Sequence, residues 1–399
     1  MKLPGVLSAS EVVRPGQPQR LEVPATDPIP SGYGMAGWGG NYAGELGREV
    51  ADTAVDRPSP AGSGDLGGAA VSLVSSNTGG YHNCAVKGSQ LYCWGEGLGL
   101  GNGSREDSTR AVKVDMTGVM AGTSVTKVQT AYGSTCAVAS GKAFCWGEWW
   151  VTGTGDYSDV PQQIGGLLDG KTVTDIAVLD TGVCAIADGK PYCWGGDQYG
   201  QNGDGQVTRF NQAPVAVDIS GVLAGKQVTN IVGGYFTACA IADARAYCWG
   251  SNWNGELGNG TSHDSGVDQS SVPVAVGGDL ANMDVTAISI DYADCAIAGG
   301  KAYCWGYGSS LLGTGISYSY PMKETLPKPV DASGVLAGKT VTHIATGDNA
   351  GCVLADGKPY CWGINYDSAL STAIAPDATA WSPVAIDLTG TILEGKEPL

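Results

Sequence analysis

Short β-branched segments separated by turn residues recur along the whole chain, and no stretch keeps a helical period of useful length. In one unit, Tyr192-Cys-Trp-Gly195 is followed by a glycine-rich loop and then by Ala213-Pro-Val-Ala-Val217. Gly221-Val-Leu-Ala-Gly225-Lys and Val228-Thr-Asn-Ile231 complete the unit, and the same order returns at residues 328–344. Three or four such segments per unit predict an all-β chain of short antiparallel strands.

The dipeptide Trp-Gly marks the period of this repeat. It occurs seven times, at intervals of 48 to 57 residues, beginning at Trp38, Trp94, Trp146, Trp194, Trp249, Trp305 and Trp362. About four strands in a unit of this size are typical of a propeller blade. We therefore predict a seven-bladed β-propeller with four-stranded blades.

The ends of the repeat favour a ring over an open solenoid. The last unit stops after Thr391-Ile-Leu-Glu-Gly395-Lys, and the segment from Leu21 to Trp38 stands where its missing strand and hairpin belong. N- and C-terminal segments would then close the ring jointly, which protects the edge strands of an open array. The expected domains are an N-terminal extension at residues 1–20, which need not be ordered, and a single propeller at residues 21–399.

Twelve cysteines form six pairs, each separated by nine residues: Cys84 and Cys93, Cys136 and Cys145, Cys184 and Cys193, Cys239 and Cys248, Cys295 and Cys304, Cys352 and Cys361. In the third pair, a type I′ turn at Asp188-Gly189 places Cys184 opposite Cys193. The alternation of the ladder makes this a non-hydrogen-bonded pair, with Cα atoms about 4.5–5.5 Å apart. We predict six disulfides, each within one hairpin.

Two observations support disulfides over zinc. Structural zinc sites use closely spaced Cys pairs joined by further Cys or His, and the chain has only three His, in non-equivalent places. The hairpin before Trp38 lacks both cysteines, since Pro28 and Gly37 stand at the corresponding positions. Six bridges indicate an oxidising compartment, extracellular or at a cell surface.

The blade motif resembles the repeat of the regulator of chromosome condensation family of seven-bladed propellers. Its clearest copies are Trp249-Gly-Ser-Asn-Trp-Asn-Gly-Glu-Leu-Gly258 and Trp38-Gly-Gly-Asn-Tyr-Ala-Gly-Glu-Leu-Gly47. The nuclear members bind chromatin and exchange nucleotide on a small GTPase. The disulfided hairpins are more similar to bacterial secreted and cell-surface members, which include a β-lactamase-inhibitory protein. The resemblance implies the fold strongly and the function weakly.

Charge and motifs exclude several classes of function. The net charge of −17 disfavours nucleic acid and anionic membranes, and no apolar run is long enough for a membrane insertion. His82, His263 and His343 belong to no nucleophile–base arrangement, and no phosphate loop or calcium-ligand run appears. We therefore expect no enzyme, no cofactor and no metal. Asn102 and Asn259 match the glycosylation sequon, but they also belong to the Gly-Asn-Gly turn of the repeat, which is the favoured interpretation.

The loop after each Trp-Gly is rich in large aromatic residues. Equivalent loops of a propeller emerge on one face, where such rings serve as binding hot spots or pack against neighbouring loops. The candidate binding residues are Tyr42, Trp149, Trp150, Tyr199, Trp253, Tyr307 and Tyr366. At least one of the adjacent pair Trp149 and Trp150 is expected to be exposed, because neighbouring positions of an extended loop point in opposite directions.

The favoured function is a secreted or surface-displayed binding scaffold that recognises a protein or glycan through one propeller face. Alternatives are an extracellular enzyme inhibitor, a GTPase exchange factor, which the disulfides and acidity disfavour, and a structural tile of a surface layer or pilus tip. The chain is expected to be a monomer unless it is part of such an assembly.

Overall fold

The computed structural model describes residues 6–8, 35–48, 54–66, 71–78, 80–317 and 323–389. The strands are β1 Val6–Ser8, β2 Met35–Gly40, β3 Ala54–Pro60, β4 Leu73–Val74, β5 Ser76–Thr78, β6 His82–Lys87, β7 Gln90–Gly95, β8 Ser108–Lys113, β9 Val125–Ala131, β10 Ser134–Ala139, β11 Lys142–Gly147, β12 Ser158–Gln163, β13 Val173–Val178 and β14 Gly182–Ala187. They continue with β15 Lys190–Gly196, β16 Phe210–Ala216, β17 Val228–Gly233, β18 Thr237–Ala242, β19 Arg245–Ser251, β20 Gln269–Ala275, β21 Val285–Ser289, β22 Ala293–Ala298, β23 Lys301–Tyr307, β24 Lys323–Pro329, β25 Val341–Thr346, β26 Ala350–Ala355, β27 Lys358–Ile364 and β28 Thr379–Ala385.

Helical structure in these residues is confined to single 3₁₀ turns. They are Gly97–Leu100, Gly166–Leu168, His263–Ser265, Gly278–Leu280, Tyr366–Ser368 and Ser371–Ala373. None of them is long or apolar enough to cross a membrane.

The strands form six complete blades and one smaller sheet. Blade 1 has the order β4-β6-β7-β8, blade 2 has β5-β9-β10-β11-β12, and blades 3 to 6 take four consecutive strands each from β13 to β28. The smaller sheet, called here the N-terminal sheet, has three strands in the order β1-β2-β3. The all-β propeller with four-stranded blades is confirmed; blade 2 has β5 as a fifth strand, which pairs in parallel with the first strand of the blade, β9. The described residues form six complete blades where the sequence predicts seven.

The first strand of each blade lies nearest the propeller axis. Strands β9, β13 and β17 contact one another in series, and so do β21 and β25. Polar side chains join them: Asp175 on β13 accepts a hydrogen bond from the Ile231 amide at 2.9 Å, and Ser289 on β21 accepts one from the Thr346 amide at 3.0 Å. The fourth strands lie at the rim, where most of their positions are half-buried or exposed.

Antiparallel alternation gives the propeller two different faces. Loops from the first to the second strand and from the third to the fourth strand emerge on one face, called here the loop face. Hairpin turns between the second and third strands, and the connections to the next blade, emerge on the opposite face, called here the hairpin face. The predicted aromatic loops all belong to the loop face.

Six disulfides join the second and third strands of the six blades, as predicted. The register in blade 3 pairs Cys184 with Cys193, Ile186 with Pro191 and Ala187 with Lys190, which confirms the predicted hairpin. The turn residues Asp188 and Gly189 have φ of 51° and 73°, as a type I′ turn requires. The Cα atoms of each bridged pair are 4.0–4.1 Å apart, closer than the predicted 4.5–5.5 Å.

The seven tryptophans of the Trp-Gly dipeptides are buried and link neighbouring sheets. Each indole Nε1 donates to a backbone carbonyl of the preceding sheet, in the loop between the last two strands of that sheet, at 2.7–3.1 Å. Trp38 of the N-terminal sheet donates to the Ala369 carbonyl beyond β27, so the series joins the first sheet to the last blade. Trp38 also packs in one apolar cluster with Ala350, Leu370 and Ile386.

The pairing predicted for the seventh hairpin was wrong. Gly37 lies opposite Val6 on β1, whereas the sequence placed it opposite Pro28. Pro28 lies outside the described residues, as do residues 390–399, which were expected to contribute to the same blade. Val6–Ser8 of the expected N-terminal extension is thus a strand of this sheet. The domain boundary at residue 20 stays a prediction.

Candidate binding face

Four of the seven predicted binding residues are exposed on the loop face. The exposed fractions are 46% for Tyr42, 47% for Trp253, 37% for Tyr307 and 38% for Tyr366. These four residues are called here the exposed arc. Tyr42 donates from its hydroxyl to Asp367 at 2.6 Å, and this hydrogen bond raises the pKa of the Tyr42 hydroxyl to about 12. Trp253 stacks on the ring of His263, with centroids 4.3 Å apart.

The other three predicted residues are half-buried, so the expectation that Trp149 or Trp150 is exposed was wrong. Trp150 packs against the apolar core between blades 2 and 3. Trp149 packs edge-on against Trp150 at 5.5 Å and against Phe210 at 4.9 Å. The planes of the two rings are 79° apart, and Trp149 is covered by Phe210, the first residue of the rim strand of blade 3. Tyr199 packs on Phe236 in the same way, at 4.9 Å.

The residues predicted from the sequence did not include any in the loops that join the first and second strands. Tyr132 follows β9, Tyr235 follows β17, and Tyr292 follows β21. The signal was available, since the residue four positions before the first cysteine of each blade is Gly80, Tyr132, Asp180, Tyr235, Asp291 and Asp348 in turn. The five side chains among these, Tyr132, Asp180, Tyr235, Asp291 and Asp348, are called here the axial ring.

Contacts across the propeller place this ring at the axis. Tyr132 of blade 2 and Tyr235 of blade 4 do not belong to neighbouring blades, yet their ring centroids are 5.6 Å apart. The amide of Asp180, between them, donates to the carbonyls of Gly234 and Tyr235 at 3.2 Å. Only positions close to the axis allow such approaches, because the loops diverge toward the rim.

Aromatic rings continue from the axis toward the rim. Tyr235 contacts Tyr292 at 4.8 Å, and Tyr292 contacts Tyr307 of the exposed arc at 6.3 Å. Phe236 joins Tyr235 to Tyr199. The loop face therefore carries a connected aromatic surface formed by residues of blades 2 to 5. The distances between its ring centroids are typical of offset and edge-to-face ring pairs.

Acidic groups dominate the electrostatics near the axis. Burial, and then the charge of Asp348, raise the pKa of the Asp291 carboxyl well above its usual value. Burial raises the pKa of Asp180 to about 6, and burial followed by Glu96 raises that of Glu148. Asp348 also raises the pKa of the Tyr235 hydroxyl, after burial and a hydrogen bond with Tyr292. The negative charge of Asp348 thus acts on groups from more than one blade, namely Asp291, Tyr132 and Tyr235.

The remaining candidate residues take ordinary structural places. His82 is buried and lies 2.8 Å from the Thr135 hydroxyl, and His263 pairs with Asp268 at 2.6 Å. Asn102 and Asn259 accept hydrogen bonds at 3.0 Å from the amides two residues later, within the Gly-Asn-Gly turn. His, Cys, Asp and Glu side chains form no group of three or more suited to a metal within the described ranges.

Comparison with known proteins supports the fold. No protein-family model matches the chain. The human E3 ubiquitin-protein ligase HERC2 is 29% identical over 170 residues, which are 41% of this chain and 3% of that protein, and the mouse protein matches over the same lengths. The chain thus spans only about 3% of the length of these curated relatives.

Solved structures match over most of the chain. Yeast RCC1 (Prp20), solved bound to Kap60, has a TM-score of 0.72 and 18% identity, and covers 88% of this chain and 83% of its own. Human WBSCR16 has a TM-score of 0.72 and 18% identity, with 88% and 94% covered. Prp20p of Saccharomyces cerevisiae, studied for its binding to Gsp1p and histones, has a TM-score of 0.71 and 17% identity, with 88% and 85% covered. The chain therefore has the β-propeller fold of the RCC1-like proteins.

Proposed function

We propose that this protein is a non-catalytic binding scaffold of the RCC1-like family, secreted or displayed on a bacterial cell surface, that recognises a protein or glycan through its loop face. The observation that carries the proposal is the exposed arc, in which four aromatic side chains remain 37–47% exposed on loops of one face. Large amphipathic rings in such positions are typical of binding hot spots.

The disulfides support the compartment. A bridge in each of the six blades suits an oxidising environment, where it protects short hairpins from fraying. The solved structures of similar fold are described with protein partners, namely Kap60, Gsp1p and histones. Protein recognition is accordingly the leading form of the proposed function.

We also infer that the N-terminal sheet is the seventh blade of a closed ring. Two contacts between this sheet and blade 6 support the inference: the Trp38 indole reaches the Ala369 carbonyl at 3.1 Å, and the Tyr42 hydroxyl reaches Asp367 at 2.6 Å. A closed ring leaves no unpaired blade edge to aggregate.

The binding proposal is tested by affinity capture from extracellular material of the source organism, with the partner identified by mass spectrometry. Trp253→Ala combined with Tyr307→Ala is expected to lower the affinity for that partner by about tenfold or more, because hot-spot aromatics contribute about 2 kcal/mol or more each. Isothermal titration calorimetry with the purified partner measures the change.

A matched control variant lies on the hairpin face. Val119→Ala combined with Leu167→Ala removes two apolar side chains that are 51% and 49% exposed, and it should leave the affinity unchanged. Equal capture by the wild type and by the Trp253 and Tyr307 double variant would reject the loop face as the binding surface. Accelerated nucleotide release from a small GTPase would instead favour an exchange factor.

A further inference from the structure

The axial ring combines aromatic faces and carboxylic acids, two kinds of group that attract positive charge. The tyrosine rings Tyr132 and Tyr235 lie 5.6 Å apart at the axis, and Tyr292, 38% exposed, adds a third ring at 4.8 Å from Tyr235. Tyrosine faces attract cations through the ring quadrupole. The remaining members of the ring, Asp180, Asp291 and Asp348, are all carboxylic acids.

A buried carboxyl beside these rings lacks a strong partner. Asp291 is 5% exposed, and neither of its oxygens meets a hydrogen-bond donor of the described chain at full hydrogen-bonding geometry. The one contact that lowers its pKa is a weak one with the Tyr292 amide. Asp294, three residues further along the chain on β22, is fully buried, and its two carboxylate oxygens also lack a hydrogen-bond donor at full hydrogen-bonding geometry within the described residues.

Within the described residues, the charges that act on Asp291 and Asp294 are acidic. The charge of Asp348 adds to burial in raising the pKa of the Asp291 carboxyl, and the charges of Glu256 and Asp291 do the same for Asp294. Burying acidic groups together without a cation is costly. Such a cost persists where the surrounding structure or a ligand compensates it, and it is typical of functional sites.

We propose that the axial ring is the seat of one cationic side chain of the partner protein, a lysine or an arginine, which lies against the tyrosine rings and pairs with the carboxylates of Asp291 and Asp348. This inference rests on the proposed function, because it names the chemistry by which the loop face recognises its partner. Tyr292 is exposed and Asp348 is half-buried, whereas Asp291 is buried.

The geometry favours a side chain over a metal ion. Metal sites need three or more suitable side chains around one point, and the described residues contain no such group. An ammonium or guanidinium group needs one or two carboxylates and an aromatic face, which the axial ring supplies. A net charge of −17 adds long-range attraction for a basic partner.

The test uses a fluorescein-labelled hexa-arginine peptide as the probe, with hexa-citrulline as its uncharged isostere. Titration of the full chain at low ionic strength is expected to show binding of hexa-arginine and none of hexa-citrulline. Asp291→Asn combined with Asp348→Asn is expected to weaken the binding of hexa-arginine by about tenfold or more, the usual effect of losing a charge-assisted hydrogen bond.

The matched control changes the same amount of charge on the opposite face. Asp115→Asn combined with Asp218→Asn removes two carboxylates from connections on the hairpin face, each held by a local turn. It should change the affinity by less than about twofold, since one charge pair is weak in water. Equal weakening by both double variants would show general electrostatic attraction and overturn the proposal, as would no weakening by the axial variant.

A second variant tests the proposal independently if the double variant Asp291→Asn and Asp348→Asn is less stable than the wild type. Asp348→Arg places a guanidinium group beside Asp291 within the same chain, so it should abolish binding of hexa-arginine while thermal melting stays cooperative. Retained binding by this variant would contradict the proposal.

Capture of the natural partner by the same variants then distinguishes a failure of this inference from a failure of the proposed function. If the exposed-arc variant loses the partner and the axial variants do not, the loop face binds but the axial seat is wrong. If neither set of variants affects capture, both proposals fail.

Discussion

Ala244 occupies a backbone conformation that costs free energy in any residue other than glycine. Its φ is 57°, and the equivalent turn positions in four other blades are glycines: Gly141, Gly189, Gly300 and Gly357. The left-handed region costs an alanine about 1–2 kcal/mol, and glycine loses part of that advantage through the greater entropy of its unfolded chain. Ala244→Gly should therefore raise the free energy of unfolding by about 0.5–1 kcal/mol, measured as a higher urea midpoint. Gly141→Ala is the reverse control and should lower the midpoint; a lower midpoint for Ala244→Gly would contradict this account.

Asp180 should make stability depend on pH in a defined direction. Burial raises the pKa of its carboxyl to about 6, whereas the unfolded chain titrates near about 3.9. Between these values the folded state binds more protons than the unfolded state, so stability rises as the pH falls from about 7 toward 4, and it is lost as the pH rises through about 6. Asp180→Asn removes the titrating group and should flatten this rise, as measured by thermal melts between about pH 4.5 and 7.5.

The control for this pH effect is Asp218→Asn, since hydrogen bonds from Ser220 lower the pKa of the Asp218 carboxyl. Removing Asp218 should leave the rise in stability at low pH in place. Melting curves that shift in parallel for the wild type and Asp180→Asn would show that Asp180 does not carry the dependence.

At the level of the element, five sheets carry a glycine that lies against the indole of the next sheet: Gly47, Gly101, Gly203, Gly258 and Gly313. Gly258 has φ of 61°, and a Cβ at this position would lie 2.9 Å from the Trp305 Nε1 atom. Gly258→Ala combines backbone strain with overpacking and should lower the free energy of unfolding by about 1–3 kcal/mol. Chemical denaturation measures the loss.

Gly260 of the same turn offers a matched control, because the nearest atom to its Cβ is 3.6 Å away. Gly260→Ala meets only the backbone strain of its positive φ, so it should cost less than Gly258→Ala. An equal or larger loss at Gly260 would argue against the packing of the indole as the cause.

The hairpins and turns were predictable from the sequence because their determinants are local. The nine-residue cysteine spacing and the Asp-Gly turn fix one register, and the structure has it in blade 3. The burial of Trp150 and the position of Tyr235 were not predictable in the same way. They depend on neighbours far along the chain, Phe210 for the tryptophan pair and Tyr132 for the tyrosine. The sequence thus located the candidate binding loops between the third and fourth strands but not the acidic and aromatic ring at the axis.

At the level of the whole molecule, the contact between the N-terminal sheet and blade 6 should stabilise both sheets against local opening, as the proposed ring closure requires. Trp38→Phe removes the indole N–H that reaches Ala369 and keeps an aromatic ring in the apolar cluster. We expect faster amide hydrogen exchange in both β2 and β27, since local protection follows the free energy of opening.

Trp194→Phe breaks the equivalent link between blades 2 and 3, where the chain itself also continues from one blade to the next. Its effect on exchange should stay within those two blades. Unchanged protection of β2 and β27 in Trp38→Phe would show that this contact does not hold the ring closed.

The burial of the disulfides has a kinetic consequence. Eleven of the twelve bridged cysteines are 0% exposed and Cys352 is 6% exposed, so a soluble thiol cannot attack any sulfur until its blade loosens. Each disulfide is then reduced no faster than its own blade opens. Under a mild reductant, the order in which the six cysteine pairs become available for alkylation therefore reports the order in which the blades open locally. The pair of blade 6, which contains Cys352, should be the first.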